Sequence, residues 1–177
     1  MITVLRMGHR PQRDKRVSTH VCLVARAFGA DCIIVDRPDE RLEDTVNQVV
    51  AQWGGHFSIK FEPWKKVLNR WKGPIVHLTM YGLPLEEEIE TIRELDPILV
   101  VVGAEKVPRD VFEKADFNIS VTTQPHSEVA ALALFLDRYF QGAEFKKDFG
   151  GALRIIPHEK KKLFNDIANQ NRKAKII

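Results

Sequence analysis

The most constraining feature of the chain is a run of five consecutive apolar residues, Ile98, Leu99, Val100, Val101 and Val102. An unbroken apolar run of this length has no polar side to offer water, so it reads as a strand buried on both faces, the signature of the middle of a parallel sheet. Parallel strands need crossover connections, and the rest of the sequence supplies them as an alternation of strand-like and helix-like stretches. Strands are expected at residues 2–5, 33–35, 57–61, 75–78, 98–102 and 117–121. Helices are expected at 19–28, 42–53, 63–71, 85–95, 108–114 and 128–140, the last with Val129, Leu132, Leu136 and Tyr139 at helical spacing. The fold class that follows is α/β, a mostly parallel sheet with helices on both faces. Ser18 and Thr19 read as the N-cap of the first helix, and Glu86, Glu87 and Glu88 sit in the first turn of the fourth, where the helix dipole favours anions.

After residue 142 the pattern changes. Gly150-Gly151 between two extended stretches reads as a hairpin, and 157–173 as a basic amphipathic helix with Leu163, Phe164 and Ile167 on one side. With no repeat and no linker, the expectation is one domain over residues 1–177, with 142–177 as a C-terminal appendage. A chain of 177 residues that is 44% hydrophobic and 29% charged buries a core without staples, which excludes disordered, collagen-like and coiled-coil classes. Cys22 and Cys32 are too few for a disulfide framework, and no Cys/His spacing suits a metal. No apolar signal core and no run long enough to span a bilayer is present. The reading is therefore a cytoplasmic protein with no membrane and no metal partner.

The net charge of +3 is mild, but the basic residues cluster. Arg6, Arg10, Arg13, Lys15 and Arg16 crowd the exit of the first strand, and Lys160, Lys161, Lys162, Arg172, Lys173 and Lys175 load the tail. Either group is a solvated surface or a contact for nucleic-acid phosphates. Ligands of open parallel sheets bind beyond the carboxyl ends of the strands, which directs attention to three loops. They read Leu78-Thr79-Met80-Tyr81-Gly82-Leu83-Pro84, Gly103-Ala104-Glu105-Lys106-Val107-Pro108 and Thr122-Thr123-Gln124-Pro125-His126-Ser127-Glu128. Each joins small residues, which let a ligand approach the backbone, to a stiffening proline. Any one of them alone is an ordinary turn. Together they suit an adenine or a ribose, and the absence of GxxxxGK[ST] and GxGxxG patterns turns the reading toward a nucleoside without phosphates. A helix-start hydrogen bond competes with a pocket role for His126, as capping does for Ser127. Trp53, Trp64 and Trp71 read as core or interface residues before they read as base-stacking platforms.

The segments GAEKVP, NISVTTQPHSEVAALALFLDR and HLTMYG, with RMGHRPQRDKRVSTHVCLVARAFGAD near the start, resemble the archaeal tRNA (cytidine-56) 2′-O-ribose methyltransferases of the SPOUT superfamily. The likeness runs from Ile2 to about Arg138. It implies a SPOUT-type sheet with a C-terminal deep trefoil knot, S-adenosylmethionine as methyl donor, tRNA as substrate and a homodimer. It places the cofactor on Leu78, on Gly103, Ala104, Glu105, Lys106 and Val107, and on Val121, Thr122, Thr123, Gln124, Pro125, His126 and Ser127. It also implies a catalytic arginine in the first basic segment, for which Arg13 and Arg16 lead and Arg10 follows, with Asp14 orienting an arginine. A guanidinium keeps its proton above pH ~12, so arginine is expected to position and stabilise, and the base stays open between groups such as His9 and His20. The competing readings are an RNA- or nucleoside-binding module without catalysis, and a flavodoxin-like flavin protein.

Overall fold

The structure, a computed structural model, describes residues 1–103, 106–166 and 175–176. Six parallel strands form the main sheet: β1 (Ile2–Arg6), β2 (Cys32–Val35), β3 (Ser58–Phe61), β4 (Ile75–Pro84), β5 (Ile98–Val102) and β6 (Phe117–Ser120), in the order β3-β2-β1-β5-β4-β6. The five-residue apolar run is β5, central and wholly buried. Its side chains alternate between two cores. Ile98, Val100 and Val102 face one, and Leu99 and Val101 the other, as a pleat with a period of two requires.

The first core is roofed by α1 (Lys15–Ala27), α2 (Glu40–Trp53), α4 (Leu85–Arg93) and α6 (Glu128–Phe140). The second is covered by the shorter α3 (Trp64–Arg70) and α5 (Arg109–Lys114), with Trp64 and Trp71 packed against its edge. Helices thus lie on both faces, as expected. Trp53, at the end of α2, is half-buried and borders a surface cavity described below.

Several expectations require correction. Helix α1 begins at Lys15 rather than at residue 19, and its N-cap is Asp14, without a side-chain cap bond. Ser18 is inside the helix, where its hydroxyl lies 2.8 Å from Nδ1 of the buried His9. Strand β4 runs on past Leu78 to Pro84, and a break in register between Leu78 and Leu83 holds Thr79–Gly82 out of the ladder with β6. The tail is not helical where it is described: β7 (Leu153–Ile156), β8 (Leu163–Asp166) and β9 (Lys175–Ile176) form a small antiparallel sheet. Leu163 and Phe164 satisfy helical spacing on paper, but the run is short and its backbone pairs with β7 instead. The hairpin turn is therefore 157–162, which carries the exposed Lys160, Lys161 and Lys162, and not Gly150-Gly151. Ile167, Arg172 and Lys173 lie outside the described residues.

Gly150-Gly151 instead meets a second diglycine, Gly54-Gly55, at the end of α2. Gly54 bridges Gly150, and the Gly55 amide donates to the Phe149 carbonyl at 2.8 Å. A Cβ on Gly54 would sit 2.3 Å from the Phe149 carbonyl oxygen, and one on Gly151 2.2 Å from the Trp53 carbonyl carbon. Backbone meets backbone there, so the C-terminal segment is seated against the end of α2.

Candidate active site

Beyond the carboxyl ends of β4, β5 and β6 lies a cavity of about 580 Å³. All three loops singled out in the sequence contribute to its wall: Leu78, Thr79, Met80 and Tyr81 from the first, Gly103, Lys106 and Val107 from the second, Pro125, His126 and Glu128 from the third. Of the expected cofactor residues, Leu78, Gly103, Lys106, Val107, Pro125 and His126 line it. Ala104 and Glu105 lie outside the described residues. Val121 packs against the core, and Thr122, Thr123, Gln124 and Ser127 stand beside the cavity in the same loop without being among its described lining.

Local bonding explains how the third loop keeps its shape. The Thr122 hydroxyl accepts from the Gln124 amide at 3.3 Å, and the Ser127 hydroxyl caps α6 by accepting from Val129 at 3.2 Å. Nδ1 of His126 lies 2.7 Å from the Gln124 carbonyl oxygen. A carbonyl only accepts, so that ring nitrogen is the donor. In the second loop, a Cβ on Gly103 would lie 2.1 Å from Cγ2 of Val107, a space only glycine leaves open.

Sequence reasoning missed Arg6. It was grouped with the basic loop, whereas its side chain is 1% exposed at the end of β1. Its Nη2 pairs with Glu128 Oε1 at 3.1 Å and its Nη1 donates to the Met7 carbonyl at 3.0 Å. Glu128, the first residue of α6, lines the cavity. The last helix is thereby tied to the first strand across the carboxyl ends of the sheet. The signal was available: Arg6 continues the apolar alternation of β1 instead of following it.

A second buried group, His77, also borders the cavity. Asn118 Nδ2 donates to the Phe112 carbonyl at 2.9 Å, which fixes the amide and turns its Oδ1 to His77 Nδ1 at 2.8 Å. His77 therefore carries its proton on Nδ1. Burial holds its pKa below the usual imidazole value, so the ring stays neutral.

The basic loop is built on His9, which is fully buried between Ser18 and Asp39, the latter at 3.1 Å from Nε2. Asp36 accepts from the amides of Gly8 and His9 at 2.7 and 2.9 Å. With His9 enclosed and His20 exposed on α1, neither lines the cavity. Arg10 forms a two-pronged pair with Asp14, 2.7 and 3.0 Å, and this bond holds the Asp14 carboxyl below the ordinary range. Asp14 thus orients an arginine, as expected. Arg13 and Arg16 are exposed, and no ion pair among the described residues holds either. None of Arg10, Arg13 and Arg16 belongs to the described lining of the cavity in their own chain.

The profile of the family described as tRNA ribose 2′-O-methyltransferase, aTrm56, matches residues 53–165. The chain belongs to this family. Relatives named tRNA (cytidine(56)-2′-O)-methyltransferase include one from Methanothrix thermoacetophila, 56% identical over 93% of this chain and 97% of its own length. Another, from Thermococcus kodakarensis, is 56% identical over 92% of this chain and 95% of its own. A third, from Picrophilus torridus, is 53% identical over all of this chain, which spans only about half (52%) of that longer relative. Among solved structures, an RNA 2′-O ribose methyltransferase matches with a TM-score of 0.60 at 17% identity, over 81% of this chain and 56% of the other. The SpoU methyltransferase AviRb of Streptomyces viridochromogenes, in complex with AdoMet, matches at 0.55 and 13% identity, over 81% and 60%. These likenesses place the family's sheet among the SpoU-type methyltransferase folds.

Proposed function

We propose that the protein transfers a methyl group from S-adenosylmethionine to the ribose 2′-hydroxyl of cytidine 56 in tRNA. The observation that carries this reading is the meeting of three separated loops around one cavity at the carboxyl rim, in a chain more than half identical to relatives of that name. The residues present fit the methyl donor. A cavity of about 580 Å³ is within the range of small-molecule sites, and Leu78, Val107 and Ala131 give it apolar wall while Lys106, His126 and Glu128 supply polar rim. Gly103 leaves the backbone bare beside it. Leu78, Gly103, Lys106, Val107, Pro125 and His126 hold the donor, with Ala104, Glu105, Val121, Thr122, Thr123, Gln124 and Ser127 completing the same two loops.

Bound there, the donor would supply a methyl on a sulfonium centre, which would pass to the ribose oxygen while the hydroxyl proton is taken up by water. The protein's share is positioning, for which holding two reactants in line is worth several kcal/mol. Arg13 and Arg16 present guanidinium groups to the ribose and its phosphates, stabilising the developing oxyanion rather than removing the proton. Arg10, tied to Asp14, shapes the turn that carries Arg13 and leads into the helix that carries Arg16. Arg6 fixes the Glu128 carboxylate at the cavity wall.

The arginines stand outside their own cavity, and α1 and α6, which pack on one another, leave Val17 and Leu134 exposed. Both points support a homodimer in which one chain's basic loop faces its partner's cavity. For a C-terminal trefoil knot, the support is the family likeness, beside which β5 reaches β6 over the second core, passing β4, and α6 returns over the first to meet Arg6. A cytoplasmic site goes with a tRNA substrate, and no helix among the described residues is long and apolar enough to cross a membrane. We read residues 142–177 as an appendage on a single domain. Incubating the protein with unmodified tRNA and methyl-tritiated S-adenosylmethionine tests the proposal, with label expected on cytidine 56. Unlabelled RNA would refute it.

A further inference from the structure

At the opposite end of the sheet, where the C-terminal segment is seated on α2, lies a second cavity of about 560 Å³. It is bordered by Trp53, Phe145 and Phe149 and by the cations Lys146, Lys147 and Arg154, with Arg26 of α1 at its base. Arg26 is the telling group. The residue is 7% exposed, its Nη2 donates to the Gly54 carbonyl at 2.6 Å, and its guanidinium lies 4.7 Å from the centre of the Phe149 ring. Its Nε is buried without a partner, and no ion pair holds it among the described residues. Burial pushes its pKa down from the usual guanidinium range.

A nearly enclosed cation without a carboxylate is costly unless something brings it an anion. The acidic residue of the described wall, Asp148, is already paired with Arg154 and accepts from the Gly150 amide at 3.0 Å. Around this base, Lys146 and Lys147 are exposed, and Phe145 leaves 67% of its surface to solvent while its ring meets Phe28 edge-on at 5.8 Å. Cations and an exposed aromatic ring in the wall of one cavity are the combination that takes a nucleotide, with phosphate on the cations and base on the ring.

We propose that this cavity is a second RNA site, which grips a phosphate and a stacked base of the tRNA substrate at a distance from the methyl-transfer pocket. The proposal rests on tRNA being the substrate, and it assigns to the C-terminal segment a share of tRNA affinity that is separate from catalysis. Because the cavity is at the amino rim and the methyl-donor pocket at the carboxyl rim, RNA held here leaves donor binding untouched.

The test compares the intact protein with Lys146→Ala combined with Lys147→Ala, with Phe145→Ala, and with Arg26→Gln. Binding of unmodified tRNA is read over a range of salt, and S-adenosylmethionine binding by calorimetry. The double lysine variant is expected to weaken tRNA binding about tenfold and to flatten the logarithmic salt dependence by about 1.5, a little under one for each phosphate no longer neutralised. Phe145→Ala is expected to weaken it about tenfold with the salt dependence unchanged, as removal of a stacking ring does. Donor affinity stays the same in all. Phe145, Lys146 and Lys147 are exposed, so these variants decide the matter even where Arg26→Gln fails to fold. Unchanged tRNA affinity in the exposed variants overturns the proposal while leaving methyl transfer intact, and so does a loss confined to self-association in sedimentation. If the parent protein binds tRNA but transfers no methyl, and the variants lose that binding, the second site stands and the reading of function falls.

Discussion

The two rims of the main sheet are built from the same strands and yet hold charge in opposite ways. At the carboxyl rim, the buried Arg6 is neutralised by Glu128, and the cavity wall is made of short loops braced by internal hydrogen bonds. At the amino rim, the buried Arg26 meets a carbonyl and an aromatic ring, with no carboxylate paired to it among the described residues, and the wall is a separate segment pressed onto α2 through glycine backbone. A cation whose counter-charge comes from its own chain holds a structure together. One left without such a partner keeps affinity in reserve for an external anion.

Substitutions that strike one rim alone test this contrast. Arg6→Ala removes the partner of Glu128 and vacates a buried volume, so it is expected to cost about 3 kcal/mol in urea unfolding; a loss below about 1 kcal/mol would mean the pair is not structural. Arg13→Ala and Arg16→Ala, assayed separately, should lower kcat on tRNA about a hundredfold with donor affinity unchanged. A rise in KM alone would instead make these residues clamps for phosphate. Gly54→Ala is expected to cost about 2 kcal/mol, because the residue has φ of 77° and its Cβ would strike backbone. The damage should be confined to the amino rim, so calorimetric donor binding is retained. Gly103→Ala forces Val107 aside and is expected to weaken donor binding about tenfold with little change in unfolding.

The smallest effect is one of pH. The unfolded His77 imidazole takes up a proton near its ordinary pKa of 6.5, whereas the buried one resists. Below that pH the unfolded state binds more protons, so stability falls as acid is added, and it is regained above. Urea midpoints measured on either side of pH 6.5 should show this slope, and His77→Leu should flatten it.

What could be read from the sequence follows from which signals are local. Strand β5 and helix α6 were legible to the residue because an unbroken apolar run rich in β-branched residues and a clean period of 3.6 each admit one solution. The three loops were legible because topology puts ligands at one rim, although no spacing in the sequence shows that Thr122–Gln124 stand beside the cavity and His126 on its wall. The start of α1 was hidden because Ser18, a residue type that caps helices, is engaged by a histidine nine positions earlier. Strand β8 was read as a helix because its four residues offer too few repeats to separate the two periods, and its pairing with β7 is set by the turn between them. Gly150-Gly151 stands out in the sequence, but its meeting with Gly54 joins positions almost a hundred residues apart, which no window along the chain can see.

The bond between Arg6 and Glu128 has a consequence for the birth of the molecule. The arginine is synthesised 122 residues before its carboxylate, an interval of roughly ten seconds at ordinary translation speeds. Through that interval the first strand carries a charge it has no means to bury. The carboxyl end of that strand can therefore be sealed from water only once α6 has been synthesised.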